Sequence, residues 1–245
     1  MKMPLTPSFS LQGRRALVAG GSSGIGLGCA VALAEAGAHV VVMARRKDQL
    51  DTVVGAMTDA GHSAEALVGD LADIEATSAV IDAIRPLDVF VNSAGMARHS
   101  PATETAVDDF DAVMNVNLRG AYFASQAVAK VMIADGRPGS IINISSQMAV
   151  VGGVDRAVYC ASKHAVEGFT KSMAIELGPH RIRVNTVCPT FIRTPLTEQT
   201  FSQPARVKWI EEKIKLGRVG GSRTSWVRCS FLPRTRQRSL PAPHC

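Results

Sequence analysis

The segment VYCASKHAVEG, residues 158–168, places Tyr159 and Lys163 four positions apart on a predicted helix. Residues at this spacing share one helix face. A cation about 4 Å from a phenolate, at an effective dielectric near 20, contributes about 4 kcal/mol, and about 1.36 kcal/mol corresponds to one pKa unit. The spacing predicts that Lys163 lowers the pKa of Tyr159 by up to roughly three units before desolvation opposes it. Such a phenol exchanges a proton near neutral pH.

Two further polar residues have the right chemistry to assist this pair. Ser146 ends a predicted strand, where its hydroxyl could hold a carbonyl oxygen while negative charge grows on it. Asn117 is a polar residue in the apolar stretch VMNVNLRG. It either anchors a water molecule that relays protons to Lys163, or packs between helices as an amide whose hydrogen bonds are satisfied.

Short apolar runs alternate with longer amphipathic runs along the chain. Strands are predicted over residues 15–20, 38–44, 64–70, 87–95, 139–146 and 181–189. Helices are predicted over 24–36, 47–60, 74–84, 158–177 and within a long helical region over 107–134. This order predicts a single α/β domain over residues 1–220, with a doubly wound, Rossmann-like parallel sheet and helices on both faces.

The glycine-rich segment AGGSSGIG, residues 19–26, follows the first predicted strand and runs into a helix. Glycines at 20, 24 and 26 let the backbone turn tightly and approach a pyrophosphate, and a helix N-terminus offers free N–H groups. The spacing differs from the commoner G-x-G-x-x-G fingerprint. An ordinary glycine turn is the alternative.

The ends of the second and third strands bear on which dinucleotide would bind. Arg45 and Arg46 stand where an acidic residue would accept the ribose hydroxyls of NAD, and a guanidinium suits a 2′-phosphate. NADP(H) is therefore favoured over NAD(H), although both arginines could simply be solvated. Asp70 could accept a hydrogen bond from the adenine amino group, or it could cap the next helix.

Taken together, these motifs resemble the short-chain dehydrogenase/reductase family over roughly residues 9–220. AGGSSGIG is similar to the family's glycine motif, with Ala19 where Thr is usual, and NSAG (92–95) to its N-N-A-G, with Ser93 as the departure. YCASK (159–163) matches Y-x-x-x-K. RVNTVCPTFIRTP (183–195) is similar to the segment beside the nicotinamide, with Thr190 in place of Gly.

The resemblance implies a catalytic tetrad of Asn117, Ser146, Tyr159 and Lys163, with Lys163 also reaching the cofactor ribose. It implies the following cofactor-binding residues: Gly20, Ser22, Ser23, Gly24, Ile25, Gly26, Arg45, Arg46, Asp70, Leu71, Asn92, Ala94, Gly95, Tyr159, Lys163, Pro189, Ile192 and Thr194. It also implies a substrate lid over about 190–216. Phe191, Phe201 and Trp209 of this segment either line the pocket or pack an amphipathic helix on the body.

Local stretches such as SSQMAV and ELGPHRIRVN look most like the NADPH-linked dicarbonyl/L-xylulose reductase branch of the family. That branch implies hydride transfer between the nicotinamide and a small carbonyl or alcohol, of sugar or dicarbonyl type. Reduction of a 3-oxoacyl thioester is the alternative within the family, and a non-catalytic nucleotide-binding protein is the alternative outside it. The family implies a homo-oligomer, either a tetramer or a dimer.

Composition and charge bear on nucleic-acid binding, membrane insertion and metal binding. The net charge is +6, but residues 213–245 alone contribute +8, so the body has no basic stripe for nucleic acid. The uncharged stretch over residues 138–154 is broken by Gly, Ser and Asn and would be a poor membrane span. The five cysteines are scattered, and neither they nor His62, His99, His164 and His180, which are expected at the surface, have metal-ligand spacing. These features predict a cytoplasmic protein without a metal.

Residues 221–245 depart from the family pattern. This basic tail contains no acidic residue and no apolar periodicity, where a further helix and strand are expected. Back-translation with a one-base shift turns SRTSWVR into VEDIMGA and LPRTRQRS into LASDAAAL, which resemble family sequence. The tail is either a solvated basic extension or the product of a reading frame that shifts near Gly220. The second interpretation leaves the sixth strand as an edge and puts the assembly in doubt.

Overall fold

A six-stranded parallel sheet forms the centre of the computed structural model, which describes residues 8–221. The strands are Arg15–Ala19 (β1), His39–Ala44 (β2), Ala64–Val68 (β3), Val89–Asn92 (β4), Gly139–Ile144 (β5) and Ile182–Val187 (β6). Their order in the sheet is β3-β2-β1-β4-β5-β6, and every neighbouring pair is parallel. The predicted α/β class and doubly wound topology are confirmed.

Eight α-helices connect the strands or follow the last one within the described residues. They are Gly24–Glu35 (α1), Lys47–Asp59 (α2), Ile74–Ala83 (α3), Val107–Met114 (α4), Ala121–Ala134 (α5), Ala157–Glu176 (α6), Glu198–Phe201 (α7) and Pro204–Lys213 (α8). No helix in the described part of the chain is long and apolar enough to cross a membrane.

Alternate residues of each central strand are buried on opposite faces of the sheet, because side chains alternate along a strand. In β1, Ala16 and Val18 belong to one apolar cluster, whereas Leu17 and Ala19 belong to the other. Helix α1 contributes Leu33 to the first cluster, and α5 contributes Val128 and Met132 to the second. Two apolar layers therefore hold the strands in a fixed register, which places their carboxyl ends side by side.

The order of the strands reverses between β1 and β4, and this is where an open α/β sheet forms its ligand crevice. Gly20 has φ +72° directly after β1, and a Cβ there would lie 2.7 Å from the backbone N of Ala94. A Cβ on Gly26 would lie 2.1 Å from the backbone O of Gly20. Neither position has room for a side chain, so glycine lets the first turn pack tightly against α1 and the end of β4.

Two predicted elements differ from the structure. The strand predicted over 87–95 ends at Asn92, because the chain then leaves the sheet and Met96 N donates to Asn117 Oδ1 at 2.8 Å. The helical region predicted over 107–134 divides at a π-helical segment, Asn115–Gly120. Such local widenings are frequent at functional sites. The tail over 222–245 lies outside the described residues.

Candidate active site

A cleft with a volume of about 360 Å³ opens at the carboxyl ends of the strands. The predicted site residues that line it are Gly20, Ser22, Ser23, Gly24, Ile25, Arg45, Arg46, Asp70, Leu71, Ala94, Gly95, Ser146, Tyr159, Lys163, Pro189, Ile192 and Thr194. Residues from seven separate segments of the sequence therefore meet in one crevice. Gly26, Asn92 and Asn117 are the predicted residues that do not line it.

The turn after β1 forms one end of the cleft. Helix α1 begins at Gly24, and its N-cap residue Ser23 makes no side-chain capping hydrogen bond. The first N–H groups of the helix therefore face the cleft without an internal acceptor, as phosphate binding at a helix N-terminus requires. Thr194 lies over this turn, since a Cβ on Gly24 would be 3.2 Å from its Cβ. The end fits a pyrophosphate held by backbone N–H groups.

Arg45 and Arg46 border the same end of the cleft, between β2 and α2. Within residues 8–221 neither guanidinium forms an ion pair, whereas the adjacent Lys47 is paired with Asp51 at 2.6 Å. Both arginines are exposed. Two free guanidinium groups beside a pyrophosphate site suit the 2′-phosphate of NADP.

Asp70 does not cap the helix that follows it, so that alternative is wrong. The N-cap of α3 is Asp73, whose side chain accepts from Ala76 N at 3.0 Å. Asp70 instead accepts from Ala72 N at 3.0 Å within a turn. Its position on the cleft wall agrees with a contact to the adenine.

Gly26 and Asn92 lie behind the cleft wall instead of on it. Gly26 is the residue at which α1 packs closely against the backbone of Gly20 in the turn after β1. Asn92 is buried at the end of β4, and its Nδ2 donates to Asn143 Oδ1 at 3.4 Å. Both residues therefore shape the cofactor end through packing, and their predicted direct contact is not supported by the geometry.

The reactive end of the cleft brings Ser146 and Tyr159 together. Ser146 follows β5, its Oγ accepts from Met148 N at 3.1 Å, and both Ser146 and Tyr159 line the cleft. Burial raises the pKa of Tyr159 above the ordinary phenol value, while the Ser146 hydrogen bond and Arg156 partly oppose the shift. The phenol is therefore protonated at neutral pH and is ready to donate a proton.

Lys163 does not acidify Tyr159 in this cleft, so the expected direct effect is wrong. Its Nζ donates to Ile144 O at 2.9 Å and lies 5.8 Å from the centre of the tyrosine ring. Complete burial lowers the pKa of Lys163 to about 8, because a low-dielectric environment disfavours the ammonium form. Spacing on a helix places two residues on one face but does not determine where a long side chain ends.

Asn117 lies in the π-helical segment and is almost fully buried. Its Oδ1 accepts from Met96 N at 2.8 Å, and its Nδ2 donates to Met96 O at 2.9 Å and to Ser162 Oγ at 3.2 Å. This is the arrangement that the packing alternative expects. The amide joins the loop after β4 to α6 beside Lys163, and its role in a proton relay stays a prediction.

A family model described as short chain dehydrogenase matches residues 14–205. The chain belongs to this family. It is 43% identical over 210 residues to L-xylulose reductase from Mesocricetus auratus, which covers 86% of this chain and 84% of the relative. It is 40% identical over 214 residues to D-erythrulose reductase from Gallus gallus, covering 87% and 85%.

Solved structures of the family have the same fold. A crystal structure of a gluconate 5-dehydrogenase from Burkholderia cenocepacia J2315, in complex with NADP and tartrate, superposes with a TM-score of 0.89. The two chains are 35% identical, with 92% of this chain and 89% of that chain covered. Together with the cleft, these likenesses make the chain an NADP-dependent short-chain dehydrogenase that transfers hydride between the nicotinamide and a small carbonyl or alcohol.

The substrate side of this short-chain dehydrogenase includes residues that the sequence did not reveal. Arg156 lines the cleft directly before α6, and His99 lines it from the loop after β4. Arg156 Nη1 is 2.7 Å from His99 Nε2. His99 is exposed, as expected, but at the mouth of the cleft. The spacing of Arg156, three residues before Tyr159, was the signal that could have identified it.

The segment over 190–216 contributes Phe191, Leu196 and Thr200 to the cleft wall. Trp209 does not line the cleft and is 56% exposed on α8, so its predicted pocket contact is wrong. Phe201 instead packs against the Arg193 guanidinium, 4.6 Å from its ring centre. Helix α8 buries Ile210, which is the packing role that the amphipathic alternative describes.

The pKa of Lys163 has a measurable consequence for cofactor binding by the ligand-free enzyme. We expect the Kd of NADPH to be nearly constant around neutral pH and to rise about threefold to tenfold above pH 8, where Lys163 loses its charge. Fluorescence titration across this range measures it. Cys188 and Tyr159 do not account for this change, because their pKa values are raised and they lose their protons at a higher pH than Lys163 does. Lys163→Met removes the pH dependence; an identical profile in that variant would assign it to another group.

Proposed function

We propose that the enzyme reduces the carbonyl of a small sugar or dicarbonyl, with Tyr159 as the proton donor. The meeting of a protonated phenol and a serine hydroxyl in the same crevice as the phosphate-binding turn supports this most strongly. NADPH bound in the crevice supplies the hydride. Ser146 orients the carbonyl oxygen, and Tyr159 transfers its proton to that oxygen as negative charge develops.

We further propose that Lys163 keeps the proton donor supplied and holds the cofactor ribose. Its ammonium group sits beside the end of β5 and is within reach of the cleft. Once Tyr159 has given up its proton, Lys163, whose Nζ lies 5.8 Å from the centre of the tyrosine ring, returns a proton to the phenolate through an intervening hydroxyl group. Asn117 positions the loop at Met96 and the start of α6, so it acts on this group through packing.

The relatives favour sugars as substrates over a 3-oxoacyl thioester, because the names L-xylulose reductase, D-erythrulose reductase and gluconate 5-dehydrogenase all refer to sugars or sugar acids. The non-catalytic alternative is not favoured either, since the Ser146–Tyr159 pair and Lys163 are all present in the cleft. We propose that the segment over 190–216 is the substrate lid, because Phe191, Leu196 and Thr200 already form part of the wall.

NADPH fluorescence titration combined with turnover of L-xylulose, diacetyl and acetoacetyl-CoA tests the proposed function. We expect NADPH to bind and the small carbonyls to be reduced with kcat in the range of about 1–10³ s⁻¹ that enzymes commonly show. Efficient turnover of acetoacetyl-CoA alone would instead support the thioester alternative. Binding of NADPH without reduction of any carbonyl would contradict an enzymatic role.

We propose that the protein is a cytoplasmic homo-oligomer. Exposed apolar residues on α4 and α5 support association, among them Val107, Phe110, Tyr122 and Phe123. The origin of the tail over 221–245 affects this proposal, because a shifted reading frame would remove the helix and strand that the family has there. We propose the shifted frame as well. Sequencing the gene decides the frame: an in-frame read through codon 245 contradicts the shift. Light scattering of the purified chain gives the number of subunits.

A further inference from the structure

The substrate end of the cleft carries positive charge that has no partner in the described part of the protein. Arg156 is half-buried in the cleft wall, directly before α6 and one helical turn before Tyr159. Arg206, in the first turn of α8, is a second cation whose charge acts on Arg156 and His99. Neither arginine forms a salt bridge with any of residues 8–221. A half-buried guanidinium without a counter-ion is uncommon in a folded protein.

His99 holds Arg156 in place without neutralising it. Arg156 Nη1 donates to His99 Nε2 at 2.7 Å, and the His99 ring meets the Tyr159 ring edge to face with centres 6.2 Å apart. Partial burial and the charges of Arg156 and Arg206 lower the pKa of His99, so the imidazole is neutral and accepts this hydrogen bond. The histidine therefore fixes the guanidinium close to the proton donor, with its other N–H groups still available.

The two arginines also repel each other. Burial first, and then the charge of Arg206, lower the pKa of Arg156. The acidic neighbour is Asp155, which weakly favours the charged forms of Arg156 and His99 but makes no salt bridge with either. The cluster is therefore a net positive site whose repulsion an incoming anion relieves.

Elsewhere in the molecule, a similar pair of arginines is neutralised by a carboxylate. Arg14 and Arg137 converge on the buried carboxylate of Asp88, with distances of 2.8 and 2.7 Å to the same oxygen. That group joins the start of β1 to the loop before β5 and lies outside the cleft. The Arg156 guanidinium is likewise half-buried, but among residues 8–221 no carboxylate forms a salt bridge with it.

We infer that the substrate itself supplies this carboxylate, so the enzyme acts on sugar acids in preference to neutral ketoses. The carboxylate binds Arg156 in the cleft wall, and the charge of Arg206 adds to the attraction, while the reacting carbonyl lies against Ser146 and Tyr159. Reduction adds hydride to the carbonyl carbon and the Tyr159 proton to its oxygen, and the carboxylate is unchanged. The product is a hydroxy acid, and oxidation with NADP⁺ runs the same steps in reverse. This inference rests on the proposed function and specifies its substrate class.

Matched pairs of open-chain substrates test the inference most sharply. D-Gluconate and D-glucitol differ only in a carboxylate that replaces a hydroxymethyl group, as do D-xylonate and xylitol. With NADP⁺, we expect kcat/KM for at least one acid to exceed that of its polyol by about tenfold to a hundredfold, the range of a charge-assisted pair. Polyols used as efficiently as their acids would overturn the inference.

Variants at the arginines separate anion recognition from general damage to the site. In Arg156→Ala the preference for the acid falls toward equality, mainly through a higher KM for the acid, and Arg156→Lys restores part of it. Arg206→Ala lowers the preference by a smaller factor, whereas Lys208→Ala, an exposed change on the same helix, keeps it. The NADPH Kd and the thermal midpoint verify that each variant is folded.

The two proposals fail in different ways. If the wild-type enzyme binds NADPH but turns over neither carbonyls nor alcohols of any charge, the proposed function is contradicted and this inference with it. If neutral ketoses and polyols are turned over and Arg156→Ala leaves the acid-to-polyol ratio unchanged, the oxidoreductase activity stands and only the assignment of a carboxylate site is wrong.

Discussion

Replacing Tyr159 with Phe lowers kcat for carbonyl reduction about 10³-fold, within the range of about 10² to 10⁴ that general acid catalysis contributes. The change removes the phenolic oxygen that gives its proton to the substrate and keeps the ring that packs near His99. We expect the NADPH Kd to stay within a few-fold, because the phosphate-binding turn and the arginines at 45 and 46 are unaffected. Stopped-flow absorbance of NADPH in a single turnover measures the chemical step directly.

The chain offers a matched control for this variant. Tyr122, the other tyrosine, lies on α5 and packs edge to face with Phe123 and Phe169. Tyr122→Phe makes the same chemical change outside the cleft, so its kcat should stay close to that of the wild type. Turnover in Tyr159→Phe within about tenfold of the wild type would show that another group, or water, donates the proton.

Replacing Arg45 and Arg46 together with Ala weakens NADPH binding about a hundredfold and leaves NADH binding nearly unchanged. A hydrogen bond to a charged group contributes about 1.5–3 kcal/mol, so the loss of one or two such contacts to a 2′-phosphate accounts for this factor. NADH lacks that phosphate and has nothing to lose at these positions. Titration of NADPH and NADH against the wild type and the double variant gives the ratio of the two Kd values for each protein.

Lys47→Ala is the matched control for the arginine pair, because Lys47 is the next cation along the chain and is already paired with Asp51. Its NADPH-to-NADH preference should match that of the wild type. A preference that survives in the double arginine variant would place 2′-phosphate recognition elsewhere in the cleft.

The sheet could be predicted because its strands are short apolar runs in a repeating pattern, and five of the six end within two residues of their predicted limits. Parallel strands place their carboxyl ends at one edge, so residues as distant in sequence as Gly20, Arg45 and Tyr159 were expected together, and all three line the cleft. β4 was overestimated because NSAG contains no charged residue or proline to mark the end of the strand, although the chain turns away after Asn92.

The electrostatics of the site could not be predicted in the same way. The Tyr159–Lys163 spacing correctly identified two cleft residues, but burial determines the direction of the Tyr159 pKa shift. Lys163 instead donates to Ile144 O, and no pattern in the sequence encodes either effect. Arg156 was missed for a related reason. Its significance comes from its contact with His99, 57 positions earlier, and from the charge of Arg206, 50 positions later, which acts on it in the folded chain.

The protonation state of Tyr159 tests the central claim most directly. With tyrosine labelled by ¹³C at the ring carbon bonded to oxygen, and Tyr122 replaced by Phe, the NMR spectrum contains one tyrosine signal. We predict that the ligand-free enzyme gives the chemical shift of a neutral phenol at pH 7 and keeps it past pH 9, because burial raises the pKa above about 10. A phenolate signal at pH 7 would contradict the proposal that Tyr159 enters the reaction as the acid.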